Sequence, residues 1–186
     1  MNIIAGKLKG KKLITLEGKD TRPTLTRIKE NIFNILQNYC QFEGLVIVDV
    51  FGGSGSLALE SLSRNAKFAY INDINLEACK IIQKNIDNCR LNQVTLVSNF
   101  DYQTFFKKFS SKIDLLFIDP PFANVDCQQW IINYCWENDL LNPDALIILE
   151  TNVILQNLQL NSQLKTISDK KYGKIYIKII QYQIND

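Results

Sequence analysis

The feature that most restricts the fold is one short run, Leu45-Val46-Ile47-Val48-Asp49-Val50, followed at once by Phe51-Gly52-Gly53-Ser54-Gly55. A β-branched run without a polar face reads as a strand buried on both sides, the kind found in parallel sheets covered by helices. Helical and strand patterns then alternate: helix 56–63, strand 67–72, helix 76–89, strand 94–98, helix 101–109, strand 113–118, helix 125–137 and strand 145–150. Such alternation predicts an α/β domain with a mostly parallel sheet. Ahead of it, Ile28, Ile32, Phe33, Ile35, Leu36 and Tyr39 recur at helical spacing, predicting an amphipathic helix over about 24–40. Two late β-rich pieces, 164–168 and 174–182, are separated by so little chain that they predict an antiparallel hairpin. With no repeat and no linker, residues 1–186 read as one domain, a basic arm over 1–22 and a core over 23–186.

Composition narrows the chemistry. The chain has no histidine, which removes the commonest general base, the usual hydrolase triads and most histidine-built metal sites. Five cysteines without a C-x-x-C pair (Cys40, Cys79, Cys89, Cys127, Cys135) suggest buried thiols rather than disulfides or zinc. No apolar stretch is long enough to span a membrane and the first residues do not read as a secretory signal, so a soluble cytoplasmic protein without a metal is expected. The net charge of +2 hides an asymmetry. Residues 1–30 carry eight positive and three negative charges, a net +5 that leaves −3 for the rest. Lys7, Lys9, Lys11, Lys12, Arg22 and Arg27 are therefore candidates for contacts with nucleic-acid phosphates.

The glycines after the first buried strand supply a tight turn and let backbone approach a ligand across the strand end. Asp49, Phe51, Gly52, Gly53, Ser54 and Gly55 are thus candidate cofactor contacts. Asp73, beside Ile74 at the end of the second strand, is placed to accept hydrogen bonds from ribose hydroxyls, and Asp101, after the third, to reach an adenine amino group. Gly53-x-Gly55-x-x-Ala58 also satisfies a dinucleotide fingerprint, so a nicotinamide oxidoreductase stays open. Asp49 counts against it, since a carboxylate there repels a pyrophosphate but suits a cationic sulfonium.

At the end of the fourth strand stands Asp119-Pro120-Pro121-Phe122. Pro121 restrains Pro120, and both rings fix φ, which holds the Pro120 carbonyl in one direction. An exocyclic amine on a nucleobase is a poor nucleophile because its lone pair is delocalised. Carbonyl and carboxylate acceptors on its N–H groups favour a more tetrahedral nitrogen with its lone pair aimed at a donor. Phe122 offers a face on which an extruded base stacks. Attack of such an amine on a sulfonium methyl needs no prior strong base, in keeping with the missing histidine.

These motifs resemble the RsmD family of 16S ribosomal RNA guanine-N2 methyltransferases. The likeness runs through Ile4-Ala5-Gly6-Lys7-Leu8-Lys9-Gly10-Lys11-Lys12-Leu13, Thr21-Arg22-Pro23-Thr24, residues 29–36, the glycine loop, Leu62-Ser63-Arg64, Asp119 to Phe122 and Lys171-Tyr172-Gly173-Lys174. The resemblance implies a seven-stranded class I methyltransferase sheet with a Rossmann-like fold, S-adenosylmethionine as donor, and RNA contacts from the basic N-terminal hairpin. It implies 16S rRNA as partner, within a small ribosomal subunit or an assembly intermediate. By motif position, Asp49, Gly53 and Gly55 would line the cofactor, Asp73 would hold its ribose and Asp119 to Phe122 the guanine. Three positions depart from the family pattern: Gly52 stands where alanine is usual, Asn65 where glycine is usual and Asp73 where glutamate is common. A glutamine N5-methyltransferase, a DNA adenine methyltransferase and a non-catalytic RNA-binding assembly factor are the other readings.

Overall fold

The computed structural model describes residues 1–16, 23–120, 125–152 and 158–184. Its elements are α1 (Pro23–Leu36), β1 (Val46–Asp49), α2 (Ser56–Ser63), β2 (Phe68–Asn72), α3 (Leu76–Cys89), β3 (Thr95–Ser98), α4 (Tyr102–Lys108), β4 (Ile113–Ile118), α5 (Val125–Glu137), β5 (Leu141–Thr151), β6 (Leu164–Tyr172) and β7 (Ile175–Tyr182), with a 3₁₀ turn at Asn92–Val94. The strands form one sheet in the order β3-β2-β1-β4-β5-β7-β6. The first five are parallel, and β7 enters antiparallel between β5 and β6. This is the α/β architecture expected, with the late hairpin at one edge.

Successive strand residues point to opposite faces, and each face has its own core. Ile47, Phe117, Ile148, Ile177 and Ile179 pack beneath α1, α2 and α3. Val48, Leu116, Ile118, Ile147 and Ile180 pack beneath α4 and α5. Burial on both sides is why these strands have no polar stripe. Three expected boundaries move by about four residues: α1 stops at Leu36 rather than near residue 40, β5 starts at Leu141 rather than Ala145, and β6 runs on to Tyr172 rather than stopping at Ser168. Past α2, Asn65 takes φ +78°, a left-handed geometry that asparagine tolerates better than most residues with a side chain.

The N-terminal arm is docked rather than free. Among the described residues it forms a hairpin-like loop with one bridge, Asn2 to Lys12, and it buries Ile3 and Leu13 in the core beneath α2. Its fixed point is Glu60, fully buried on α2. The Glu60 carboxylate accepts the amides of Ile4 (2.7 Å) and Ala5 (3.0 Å) and the Arg64 Nε (3.0 Å), while Lys29 Nζ lies 3.5 Å away. Below it, Lys7 N–H donates to the Ser63 carbonyl at 2.8 Å. On the return, Asn85 of α3 exchanges two hydrogen bonds with the Ile14 backbone (2.8 and 2.9 Å) and donates to the Ser54 carbonyl at 2.9 Å. One buried amide thus ties the arm to the glycine loop. Among the described residues no helix is long and apolar enough to cross a membrane.

Candidate active site

Register decides which side chains meet. Asp49 pairs with Ile71 on one side and Phe117 on the other, and Phe117 pairs with Ile148. Carrying the two-residue period one step further brings Asp73, Asp119 and Glu150 to the same face as Asp49, at the C-terminal ends of four neighbouring strands. All four carboxylates line one cavity of about 590 Å³, within the size range of small-molecule sites.

The glycine loop forms the floor. Gly53 and Gly55 have φ +56° and +77°, where a side chain would strain the backbone, and Gly55 N–H donates to the Gly52 carbonyl at 2.6 Å as the chain turns into α2. Gly52 is needed for a different reason. A Cβ there would lie 2.5 Å from Ile71 Cγ2 and 2.9 Å from Ile82 Cδ1, so these isoleucines fill the space an alanine would take. Asp73 closes the loop: its Oδ2 accepts the Gly53 amide at 2.8 Å and its Oδ1 the Asn75 amide at 2.9 Å. Asn72 accepts from Ser98 Oγ (2.9 Å) and donates to the Phe100 carbonyl (2.9 Å), joining the ends of β2 and β3.

Asp49 is the electrostatic centre. It is 2 % exposed, and its Oδ1 has no hydrogen-bond partner. Burial, then the charges of Asp119 and Asp73, push its carboxyl up to about 8, against the pull of the Ala58 and Phe51 amides. Glu150 is raised well above the carboxylate range by burial and by Asp119. Across from them on α1, Lys29 also lines the cavity, its ammonium donating to the Asn2 carbonyl at 2.9 Å. Burial lowers its pKa, while Glu60 holds the charge in place.

Of the residues singled out from sequence, Asp49, Phe51, Gly52, Gly53, Ser54, Asp73, Ile74, Asp119 and Pro120 line this cavity, and Gly55 caps α2 beneath it. Asp101 does not line it. Its carboxylate caps α4 instead, accepting Thr104 N (2.9 Å) and Thr104 Oγ1 (2.6 Å), bonds that draw its pKa down. Pro121, Phe122 and Arg22 lie outside the described residues. Lys7, Lys9, Lys11, Lys12 and Arg27 are exposed. Sequence reading missed Glu150 and Lys29. The signal for Glu150 was its place at a strand's carboxyl end. For Lys29 it was an i, i+3, i+4, i+7 relation to Ile32, Phe33 and Leu36, which sets a lysine on the buried stripe of α1. Among the described residues, no group of three or more histidine, cysteine or acidic side chains is arranged to hold a metal.

Residues 1–181 match the family described as Conserved hypothetical protein 95. The chain belongs to this family, the RsmD family of the sequence resemblance. It is 37 % identical over 156 residues to the ribosomal RNA small subunit methyltransferase D of Haemophilus influenzae, covering 81 % of this chain and 78 % of the relative. An Escherichia coli structure provisionally named a methyltransferase superposes with a TM-score of 0.87 at 26 % identity, covering 98 % of each chain. A Haemophilus influenzae structure provisionally named a methylase does so with a TM-score of 0.81 at 30 % identity, again over 98 % of each. The seven-stranded sheet with its antiparallel β7 is the fold of S-adenosylmethionine-dependent methyltransferases, and this RsmD-family chain has it throughout.

Proposed function

We propose that this RsmD-family protein transfers a methyl group from S-adenosylmethionine to the exocyclic N2 amine of a guanine in 16S ribosomal RNA, in a small subunit or a partly assembled one. The observation that carries the reading is that Asp119 and Pro120 open onto the same cavity as the glycine loop and Asp49. The relatives' names point the same way.

The residues present fit that cofactor. A deeply buried carboxylate with an unpartnered oxygen is costly alone and suits a cationic ligand, whereas a dinucleotide's pyrophosphate would meet repulsion there. Asp73, with one bond already made by each oxygen, keeps lone pairs for two ribose hydroxyls. When bound, the cofactor supplies a methyl group activated on a sulfonium.

The chain's own residues do the rest. Asp119 and the Pro120 carbonyl accept the two N–H groups of the target amine and aim its lone pair into the cavity. Holding the amine in place is the larger part of the acceleration, since no strong base is required before transfer. Methylation makes the nitrogen cationic and acidic. Asp119, which already accepts one of its N–H groups, stands where it can take up the released proton.

The test is methyl incorporation from labelled S-adenosylmethionine into small-subunit RNA and partly assembled subunits, with the product nucleoside mapped by mass spectrometry. N2-methylguanosine is expected. Asp119→Ala should abolish it while S-adenosylhomocysteine affinity changes less than about threefold. Absence of transfer to either RNA form by the intact protein sinks the reading.

A further inference from the structure

The last three strands place positive charge at the cavity rim. Glu150 pairs with Ile177 of β7, and Ile177 pairs with Lys170 of β6. Directly opposed residues of antiparallel strands share a face, so Lys170 extends the row of Asp49 and Glu150, two strand spacings or roughly 10 Å beyond Glu150. β7 begins level with the end of β5, Tyr176 opposite Thr151. The β6–β7 turn, with Gly173 at φ +62°, therefore projects from the same sheet edge as Asp119 and Glu150 and carries Lys174.

Lys170, Lys171 and Lys174 are exposed, and among the described residues none of them is in an ion pair. The hairpin's Lys178 is paired with Asp169 at 2.8 Å, and the Lys171 ammonium lies 5.0 Å from the centre of the Tyr176 ring. The arm is arranged differently. α2 leaves the cavity at Gly55, and its eight residues carry Ser63 about 12 Å away. Because the Lys7 amide binds the Ser63 carbonyl, the turn bearing Lys7 and Lys9 sits at the far end of that helix from the cavity.

A nucleic acid whose base enters this cavity must bring its backbone past an acidic rim that includes Asp73 and Asp119, which repel phosphate. The unpaired lysines of the hairpin tip are the compensating charge on that edge. We propose that the β6–β7 tip, through Lys170, Lys171 and Lys174, binds the phosphodiester backbone of the RNA beside the target nucleotide, while the lysines of the arm's turn meet RNA farther from it. This assignment rests on the proposed RNA substrate.

The experiment compares the intact chain with a Lys170→Ala, Lys171→Ala, Lys174→Ala triple variant, none of whose changed residues lines the cavity. Binding of small-subunit RNA is followed by fluorescence anisotropy over a salt series, alongside methyl transfer. The triple variant should bind RNA at least about tenfold more weakly near 0.1 M salt, with the slope of log K against log salt smaller by about two. Its melting temperature, S-adenosylhomocysteine affinity and turnover at saturating RNA should match those of the intact chain. The corresponding triple arginine variant should bind as the intact chain does. A Lys7→Ala, Lys9→Ala variant should lose less affinity for a short RNA centred on the target. A folded triple alanine variant with unchanged RNA affinity and salt slope overturns the hairpin assignment and leaves the proposed function standing. Failure of the intact chain to methylate RNA, with its RNA binding still dependent on the three lysines, does the reverse. An intact chain that does not bind RNA ends both.

Discussion

The Gly53 amide donates to Oδ2 of Asp73 at 2.8 Å, across twenty residues of chain and the gap between β1 and β2. The carboxylate that the proposed function assigns to a ribose is therefore also bonded to the glycine loop. Asp73→Ala should weaken S-adenosylhomocysteine binding at least about tenfold, since hydrogen bonds to a charged group contribute roughly 1.5–3 kcal/mol. Asp73→Asn, which keeps an acceptor for the Gly53 amide, should lose less. Calorimetric titration of both variants checks this, and equal losses would separate the loop from the effect.

Asp49 predicts the pH dependence of cofactor binding. Its carboxyl is pushed up to about 8 in the free protein, so it is mostly protonated at pH 6. A cationic ligand favours the ionised form and lowers that pKa, so binding releases a proton and tightens as pH rises. The Asp49 contribution between pH 6 and pH 8 is bounded by about fiftyfold. The stability of the free protein runs the opposite way. A carboxyl whose pKa is raised on folding stabilises fully below its unfolded value near 3.8 and loses that contribution as pH climbs through about 8. Asp49→Asn should flatten both profiles, as read by titration and by melting curves. A pH-independent affinity in the intact protein would remove Asp49 from the cation site.

Two glycines of the arm separate strain from collision. Gly6 and Gly10 have φ +80° and +84°, but a Cβ on Gly6 would lie 1.9 Å from the Ser63 carbonyl oxygen, whereas one on Gly10 meets nothing within 4 Å. Gly10→Ala should cost about 1–2 kcal/mol from backbone conformation alone. Gly6→Ala should cost more and undock the arm, visible as faster amide exchange at Ile4 to Leu8. Equal unfolding midpoints for the two variants would contradict the docking contact.

Glu60 is a buried anion with four donors, and removing it leaves Lys29 buried without its counter-ion. Glu60→Ala should destabilise by about 3–5 kcal/mol in denaturant unfolding. Adding Lys29→Met should recover part of that loss. If the double variant is no more stable than Glu60→Ala, the cost lies in the Ile4 and Ala5 amides rather than in the stranded ammonium.

The local elements were readable because their signals are local. The run from Leu45 to Val50, the glycines after it and the stripe of α1 each report burial through residues adjacent in sequence or one turn apart. Asp101 shows the limit: its place after the third strand suited an adenine contact, yet an acidic residue before a helix is equally an N-cap, and its bonds to Thr104 show the cap. Glu150 looked like the last residue of an ordinary strand. It became part of the site because the parallel register of β5 on β4 sets it beside Asp119.

Local pattern was enough for the alternation of strands and helices, the loop that must bend through Gly53 and Gly55, and the Asp119-Pro120 corner. Each depends on backbone preference and on periodic burial, which a short window of residues contains. The tertiary structure alone decided that four carboxylates share one cavity with Lys29, that the turn of the arm lies at the far end of α2, and that the β6–β7 turn leaves the same end of the sheet as Asp119 and Glu150. Those relations depend on which strands pair and in what register, and that choice is made by burying whole faces of the sheet together, over separations no local pattern encodes.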